Sequence, residues 1–146
     1  VASDRLVFAD KLSLEEHLGR LKLADLFLDT FNFNAHTTAS EALWAGLPIV
    51  TKLGKGFAAR VAGSLLNAVG LPELITHDEE AYEALILELA TKPKKLSAIK
   101  QKLEVYRLSK PLFDTEQYTK HLENGYLQAY QRHFDGKKPD TIFVKE

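Results

Sequence analysis

Short apolar runs alternate with segments of helical period along the first half of the chain. Residues 6–9, 25–29 and 48–51 have the length and composition of buried strands, and residues 73–76 suit one more short strand. Strands that alternate with helices form a parallel sheet with helices on both faces. The pattern therefore predicts an α/β fold of the Rossmann-like type.

The first predicted helix follows residues 6–9. Ser13 is a suitable N-cap, acidic residues occupy the first turn, and the helix is predicted to run to about residue 22. His17 and Arg20 are three residues apart, so they share one face of this helix.

The central helix is predicted to begin at Thr38, just after a strand and a polar loop, and to end at Gly46. A helix that begins at the carboxyl end of a parallel strand presents free backbone N–H groups where open α/β sheets bind ligands. His36 and Thr37 lie with Thr38 at this N-terminus. The sequence therefore predicts an anion site here, and phosphate is the anion expected.

The second half of the chain is mainly helical by pattern. Residues 57–66 predict a helix ending near Gly70, Asp78 caps the next, Pro93 opens another, and residues 110–113 interrupt the helical pattern. The last helix has an apolar stripe predicted to pack on the body of the protein. The stripe comprises Tyr118, Leu122, Tyr126, Leu127 and Tyr130.

Composition narrows the class of protein. The chain has 146 residues, of which 45% are hydrophobic and 27% are charged, and this composition suits one domain with a sizeable core. Its net charge is −1, so there is no electrostatic case for binding to nucleic acid or to an anionic membrane. It has no cysteine, which excludes disulfides and thiolate metal sites and is compatible with a cytoplasmic setting. It also has no methionine and starts at Val1, so we expect an excerpt of a longer protein that begins inside a domain.

The residues alone leave two interpretations of the central helix open. In the first, His36, Thr37 and Thr38 hold a phosphate and Glu41, one turn further in, accepts ribose hydroxyls. In the second, His36 and the threonines only cap their own helix and Glu41 is a solvated surface residue. Arg60 could pair with a phosphate or with a surface acid, and the surface interpretation is preferred.

The stretches 26–30 and 34–48 closely resemble the donor-nucleotide segment of the O-linked N-acetylglucosamine transferase family (glycosyltransferase family 41), which includes bacterial homologues and SPINDLY-type transferases. The resemblance implies a GT-B fold, with two Rossmann-like lobes and the active site between them. Residues 1–109 would be the donor-binding lobe without its N-terminal strands. Residues 110–146 would be a C-terminal helix and tail that pack on the enzyme body.

The resemblance also implies roles for individual residues. It places His36, Thr37 and Thr38 on the diphosphate of a nucleotide sugar and Glu41, where many relatives have Asp, on the ribose. His17 and Arg20 match the helix that flanks the uracil and the phosphates, and the Leu12 backbone matches the strand end that contacts the base edge. Some relatives have Lys at the position of Leu14, so either Lys11 replaces that contact or the contact is lost.

In such an enzyme the nucleotide diphosphate is the leaving group, so donors on its oxygens, His36 among them, would stabilise charge that develops in the transition state. The implied reaction is an inverting, metal-independent transfer of N-acetylglucosamine from UDP-GlcNAc to Ser or Thr of proteins, without a cofactor. Three alternatives remain: fucose transfer from GDP-fucose, a non-catalytic nucleotide-binding or docking module, and a purely structural α/β domain that binds no nucleotide.

Other parts of the implied enzyme lie outside this chain. A lysine facing the diphosphate, the N-terminal lobe and the helical repeats that recruit protein acceptors would all precede Val1. The expected partners are therefore UDP or a UDP-sugar, the N-terminal lobe of the same protein, and protein acceptors bound through other regions. We expect the chain alone to be inactive.

Overall fold

The computed structural model describes residues 2–144, and a small parallel sheet lies at the centre of the fold. Its strands are β1 (Phe27–Leu28), β2 (Ile49–Lys52) and β3 (Ile75–Thr76), in the order β1-β2-β3. Within residues 2–144, six α-helices accompany the sheet, which confirms the predicted α/β class. They are α1 (Leu14–Leu21), α2 (Thr37–Ala45), α3 (Val61–Val69), α4 (Glu79–Thr91), α5 (Pro93–Ser109) and α6 (Thr115–Phe134).

The middle strand divides its pairing between its two neighbours. Ile49 and Val50 pair with β1, whereas Thr51 and Lys52 pair with β3. The two ladders therefore share β2 without sharing any of its residues.

Local sequence explains where several helices begin and end. Ser13 and Glu16 form a reciprocal capping box at the start of α1, and Asp78 and Asp114 accept hydrogen bonds from first-turn amides of α4 and α6. Gly46 ends α2 at a φ of 88°, a left-handed conformation that L side chains adopt only with strain. The boundaries predicted at Ser13, Gly46 and Asp78 agree with the structure.

The hydrophobic core is formed by α2, α3, β2 and the inward faces of α4 and α5. Its fully buried members contact one another across the sheet and exclude water from the backbone hydrogen bonds of β2. The largest are Leu43, Ile49, Val50, Leu66, Val69, Leu71, Leu74, Leu89 and Leu103.

The predicted strand at residues 6–9 is wrong for this structure. A 3₁₀ turn spans Ser3–Arg5, the following residues have no regular structure, and Phe8 is 91% exposed. An apolar run forms a strand only beside a second strand, and the structure pairs no other segment of residues 2–144 with this one. The strand predicted at 25–29 is also less buried than expected, because the Leu28 side chain is 53% exposed.

Two further segments differ from the prediction. Residues 57–66 do not form one helix: a 3₁₀ turn, Phe57–Ala59, is followed by a break at Arg60 and then α3. The turn is tight because Gly54 N–H donates to Ala59 O at 2.8 Å, and a Cβ on Gly54 would lie 2.5 Å from the Cβ of Ala59. Residues 73–76 likewise divide between a 3₁₀ turn, Pro72–Leu74, and β3.

The apolar stripe of α6 is exposed on this chain. Tyr126 is 66% and Leu127 69% exposed, so the predicted packing of the stripe on the body of the protein is not found within residues 2–144. The segment after α6 instead folds back along that helix: Arg132 Nε donates to Lys138 O at 2.6 Å, and its guanidinium pairs with Asp140 at 3.2 Å. The division of the chain at residue 109 stays a prediction.

Candidate nucleotide site at the carboxyl edge of the sheet

The loop that leads from β1 to α2 is held by one buried carboxylate. Asp29, only 4% exposed, accepts the Ala35 N–H at 2.7 Å on Oδ1 and the Thr51 hydroxyl at 2.6 Å on Oδ2. The Tyr82 hydroxyl donates to the Asp29 backbone carbonyl at 2.9 Å. Burial, together with the negative charge of Asp29, raises the pKa of Tyr82. Asp29 thus fixes where the loop leaves the sheet.

Asn34 fixes the same loop from its other end. Its backbone N–H donates to Ala58 O at 2.8 Å, and its side-chain amide donates to Thr30 O at 2.7 Å. The side-chain Oδ1 is buried and has no hydrogen-bond partner among residues 2–144. The sequence pattern assigns no role to Asn34 or Asp29. The signal that points to Asp29 is an acidic residue directly after the apolar run Leu26, Phe27 and Leu28.

His36 lies at the start of α2 between two aromatic rings. The Phe33 ring stacks on the imidazole with a centroid distance of 4.7 Å and an angle of 15°, and Phe57 meets it edge-on at 6.1 Å. His36 Nε2 lies 3.4 Å from Ala58 O, a carbonyl that can only accept, so this nitrogen bears the hydrogen. The other ring nitrogen, Nδ1, can then donate to an anionic ligand only in the doubly protonated imidazolium, in which both ring nitrogens are donors.

The N-terminus of α2 has free hydrogen-bond donors. His36 occupies the N-cap position without a side-chain cap, and Thr37 and Thr38 are the first two helical residues. Their amides have no acceptor in the part of the chain that the structure describes, as is usual for the first turn of a helix. The predicted capping role of these side chains is therefore not found. The free backbone N–H groups can donate hydrogen bonds to an anion.

These groups line a shallow cavity of about 420 Å³ at the carboxyl end of β1. Asp29, Asn34, His36, Thr37 and Thr38 are among its lining residues. A larger cavity of about 480 Å³ lies beside α3, with mainly apolar walls and Arg60 as its one cationic lining residue. Arg60 is exposed and forms no ion pair within residues 2–144, so the preferred pairing with a surface acid is not found. The smaller cavity has the free amides and the histidine, which makes it the better candidate for a phosphate.

A second group of predicted residues meets where α1 packs on α2. Arg20 Nη2 lies 3.1 Å from His17 Nδ1, and His17 Nε2 lies 3.4 Å from Glu41 Oε2. Arg20 also donates to Asp10 O at 2.9 Å, which ties α1 to the segment before it. The structure therefore brings His17, Arg20 and Glu41 together.

Two predicted site residues stand apart from both groups. Lys11 and Leu12 lie in the irregular segment before α1, and both side chains are exposed. No ion pair among residues 2–144 involves Lys11.

The described residues also contain no cluster of three or more His, Cys, Asp or Glu side chains that could hold a metal ion. No helix in the described part of the chain is long and apolar enough to span a bilayer.

A parallel sheet with a free helix N-terminus at its carboxyl edge is the arrangement by which open α/β domains bind nucleotides. Comparison with known proteins agrees with this class. The profile described as Glycosyl transferase family 41 matches residues 1–122, so the chain belongs to that family.

Two relatives and one solved structure illustrate the similarity. The Arabidopsis thaliana protein named "Probable UDP-N-acetylglucosamine--peptide N-acetylglucosaminyltransferase SEC" is 40% identical over 147 residues, which cover 100% of this chain and 15% of the relative. The Caenorhabditis elegans UDP-N-acetylglucosamine--peptide N-acetylglucosaminyltransferase is 38% identical, over 94% of this chain and 12% of the relative. A mutant of Thermobaculum terrenum O-GlcNAc transferase superposes with a TM-score of 0.81 at 32% identity, covering 86% of this chain and 24% of that one.

The chain thus spans about one seventh of the length of the curated relatives it matches. The family assignment made from residues 26–30 and 34–48 is confirmed, and so is the likeness of the fold to part of an O-GlcNAc transferase.

Proposed function

We propose that this chain forms the donor-nucleotide site of a protein O-glycosyltransferase that uses UDP-N-acetylglucosamine. The observation that supports it is the N-terminus of α2, whose unpartnered amides and His36 face a cavity at the carboxyl edge of the sheet in a family 41 chain. The names of the relatives specify UDP-N-acetylglucosamine as donor and a peptide as acceptor. They favour this donor over GDP-fucose and favour a catalytic protein over a docking module.

In the proposed reaction the amides of Thr37 and Thr38 donate to the diphosphate oxygens, and the His36 imidazolium donates to them from Nδ1 while its Nε2–H stays on Ala58 O. As the bond from the sugar to the phosphate breaks, negative charge grows on the diphosphate, and donors already aimed at it stabilise the transition state more than the ground state. Aromatic packing by Phe33 and the contact to Ala58 O keep His36 in place, so little reorganisation is needed. This role requires no metal ion and no cofactor from the chain.

Glu41 is proposed to accept the ribose hydroxyls, and His17 and Arg20 to lie beside the base and the phosphates. Lys11 and the Leu12 backbone are proposed to contact the nucleotide from the segment before α1. The exposed stripe of α6 is proposed to pack on another part of the enzyme body, and the acceptor protein to bind through regions outside this chain. Because the chemistry needs groups from the N-terminal lobe, this chain alone is proposed to be inactive, and the full protein to act in the cytoplasm.

The test is calorimetric titration of the full-length protein with UDP and with GDP, alongside a His36→Ala variant. We expect UDP to bind more tightly than GDP, and the variant to lose at least about tenfold in UDP affinity, because a hydrogen bond to a charged group is removed. A His121→Ala variant on α6 is the matched control and should bind UDP normally. Preference for GDP would indicate fucose transfer, and binding of neither nucleotide would contradict the proposed function.

A further inference from the structure

The loop between β1 and α2 is a turn closed by its own hydrogen bonds. The Thr30 hydroxyl donates to Phe33 O, and the Asn34 side-chain amide donates to Thr30 O at 2.7 Å. Phe33 in turn stacks on His36, with ring centroids 4.7 Å apart. Because hydrogen bonds join the two ends of the turn, a contact that fixes one residue of 30–34 also restricts the others.

Phe31 lies within this turn and is held from two directions. The Lys52 ammonium lies 4.1 Å from the centroid of the Phe31 ring, within the range of a cation–π interaction. The Tyr82 ring meets the Phe31 ring edge-on, with centroids 5.0 Å apart and an angle of 87° between the planes. The Tyr82 hydroxyl also donates to Asp29 O. Side chains from β2 and α4 therefore hold the turn together.

The charge of Lys52 is itself fixed in place. Its Nζ lies 2.8 Å from Glu79 Oε1, and its side chain is only 19% exposed. An ammonium group with so little access to water needs an anion or an aromatic face beside it, and Lys52 has both. In the described part of the chain, Thr30 and Phe33 line the cavity of about 420 Å³, whereas Lys52 and Phe31 do not. The ammonium is therefore placed to act on the loop and not on a ligand in that cavity.

We propose that Lys52 is a positioning residue for the nucleotide site and that it acts through Phe31. Lys52 has this role only if the site binds the diphosphate of a nucleotide sugar, so the inference rests on the proposed function. The ammonium holds the Phe31 ring, the closed turn carries this restraint to Phe33, and Phe33 holds the His36 imidazole beside the free amides of α2. A site ordered in advance binds an anion more tightly, because less conformational entropy is lost on binding.

The experiment measures the binding of UDP and of uridine to the full-length protein by calorimetry. Lys52→Met keeps most of the apolar stem and removes the charge. We expect Lys52→Met to weaken UDP binding at least about fivefold, the size of one partly buried cation–π contact, and to leave uridine binding unchanged, because uridine has no phosphate. Lys52→Arg should bind UDP within about twofold of the wild type, because a guanidinium also binds an aromatic face and a carboxylate.

Lys102→Met is the matched control for the removal of charge. Lys102 Nζ lies 5.2 Å from the centroid of the Tyr106 ring and 2.6 Å from Glu73 Oε1, so Lys102 makes the same two kinds of contact on α5. Lys102→Met should leave the binding of both ligands unchanged.

Phe31→Leu tests whether Lys52 acts through the ring. This substitution keeps an apolar side chain in the turn but removes the aromatic face that the ammonium contacts. We expect it to weaken UDP binding about as much as Lys52→Met does. In the Phe31→Leu background, Lys52→Met should weaken UDP binding no further, because the two residues act as one unit.

The outcomes distinguish this inference from the proposed function. If Lys52→Met weakens UDP binding equally with and without the Phe31 ring, the ammonium acts on the phosphates directly and the positioning role is wrong. If Lys52→Met leaves UDP binding unchanged, or weakens uridine as much as UDP, the inference is also overturned, while UDP binding by the wild type still supports the proposed function. If the wild type does not bind UDP, the proposed function fails and the inference fails with it.

Discussion

Asp29 and Thr51 are joined by a buried hydrogen bond across two neighbouring strands, 2.6 Å from the threonine hydroxyl to Oδ2 of the carboxylate. The other carboxylate oxygen accepts from Ala35 N–H, and no cation pairs with Asp29 in the described part of the chain. The buried Asp29 carboxylate, whose hydrogen-bond donors are neutral, therefore links the sheet to the loop of the candidate site.

Replacing Asp29 with Asn tests this arrangement. An amide of the same shape has one accepting oxygen, so its NH₂ group must face either the Ala35 N–H or the Thr51 hydroxyl. We expect a loss of about 2 kcal/mol in the free energy of unfolding, because a buried donor is left poorly paired. Urea denaturation followed by fluorescence measures it.

Asp25→Asn is the matched control for that substitution. Asp25 is exposed and contacts the Lys100 ammonium at 2.7 Å, an interaction that solvent screens. The control should leave the unfolding midpoint nearly unchanged. Equal losses for both variants would show that Asp29 has no special structural role.

Thr37→Val tests whether the Thr37 hydroxyl contributes to phosphate binding beside the backbone amides of the first turn of α2. Valine preserves the shape of threonine and the helix but removes the hydroxyl. We expect UDP binding to weaken about tenfold while binding of uridine, which lacks phosphates, stays the same. Thr115→Val makes the same change at the first residue of α6 and should alter neither. If Thr37→Val weakens uridine as much as UDP, the hydroxyl does not act on phosphate.

Gly46→Ala tests the left-handed end of α2. An alanine Cβ at residue 46 would meet no atom within 4 Å, so the cost is conformational, and we expect about 1 kcal/mol of destabilisation. Gly19→Ala, also free of contacts but inside α1, should instead stabilise by about 0.5 kcal/mol or more. Thermal denaturation of both variants compares them, and a stabilised Gly46→Ala would contradict the conformational explanation.

The shifted pKa of Tyr82 predicts that the free energy of unfolding depends on pH in the alkaline range. Its pKa is raised above 10.0 by burial and by the charge of Asp29, so the unfolded chain releases the phenolic proton first. The stabilisation is complete below pH 10 and is lost as the pH rises through the higher pKa of the folded state. Tyr82→Phe should therefore flatten the decline of unfolding free energy above about pH 10.

The control for this prediction is Tyr118→Phe. Tyr118 is exposed on α6, so its substitution should leave the alkaline decline as it is in the wild type. If both variants decline in parallel with the wild type, Tyr82 does not contribute to the pH dependence.

Much of the fold follows from local signals in the sequence. Ser13, Gly46, Asp78 and Pro93 mark helix ends through hydrogen bonds or backbone geometry that involve only nearby residues, and all four helices begin or end as predicted. Local signals could not establish whether residues 6–9 form a strand, because an apolar run does not specify which strand pairs with it. The break at Arg60 was missed for a related reason: the tight turn depends on the approach of Gly54 to Ala59.

The residues of the candidate site also divide into those that local sequence predicts and those whose contacts depend on tertiary packing. The residues at the start of α2 could be predicted because a strand, a polar loop and a helix lie next to each other in sequence. The contact between His17 and Glu41 joins residues 24 positions apart and depends on how α1 packs on α2. Asp29 was missed because its partners, Ala35 and Thr51, become neighbours only when the sheet forms.

The divided pairing of β2 has a consequence for motion. Each ladder contains two residue pairs, and Thr51 links them, since its hydroxyl donates to Asp29 while its carbonyl accepts from the Thr76 hydroxyl at 3.0 Å. With that link intact, we expect the backbone amide of Asp29, which donates to Val50 O, and that of Leu53, which donates to Thr76 O, to exchange with deuterium at similar rates. Without this link, β1 and the loop attached to it can separate from β2 while β3 stays paired with β2. We therefore expect Thr51 to make the small sheet open and close as one cooperative unit.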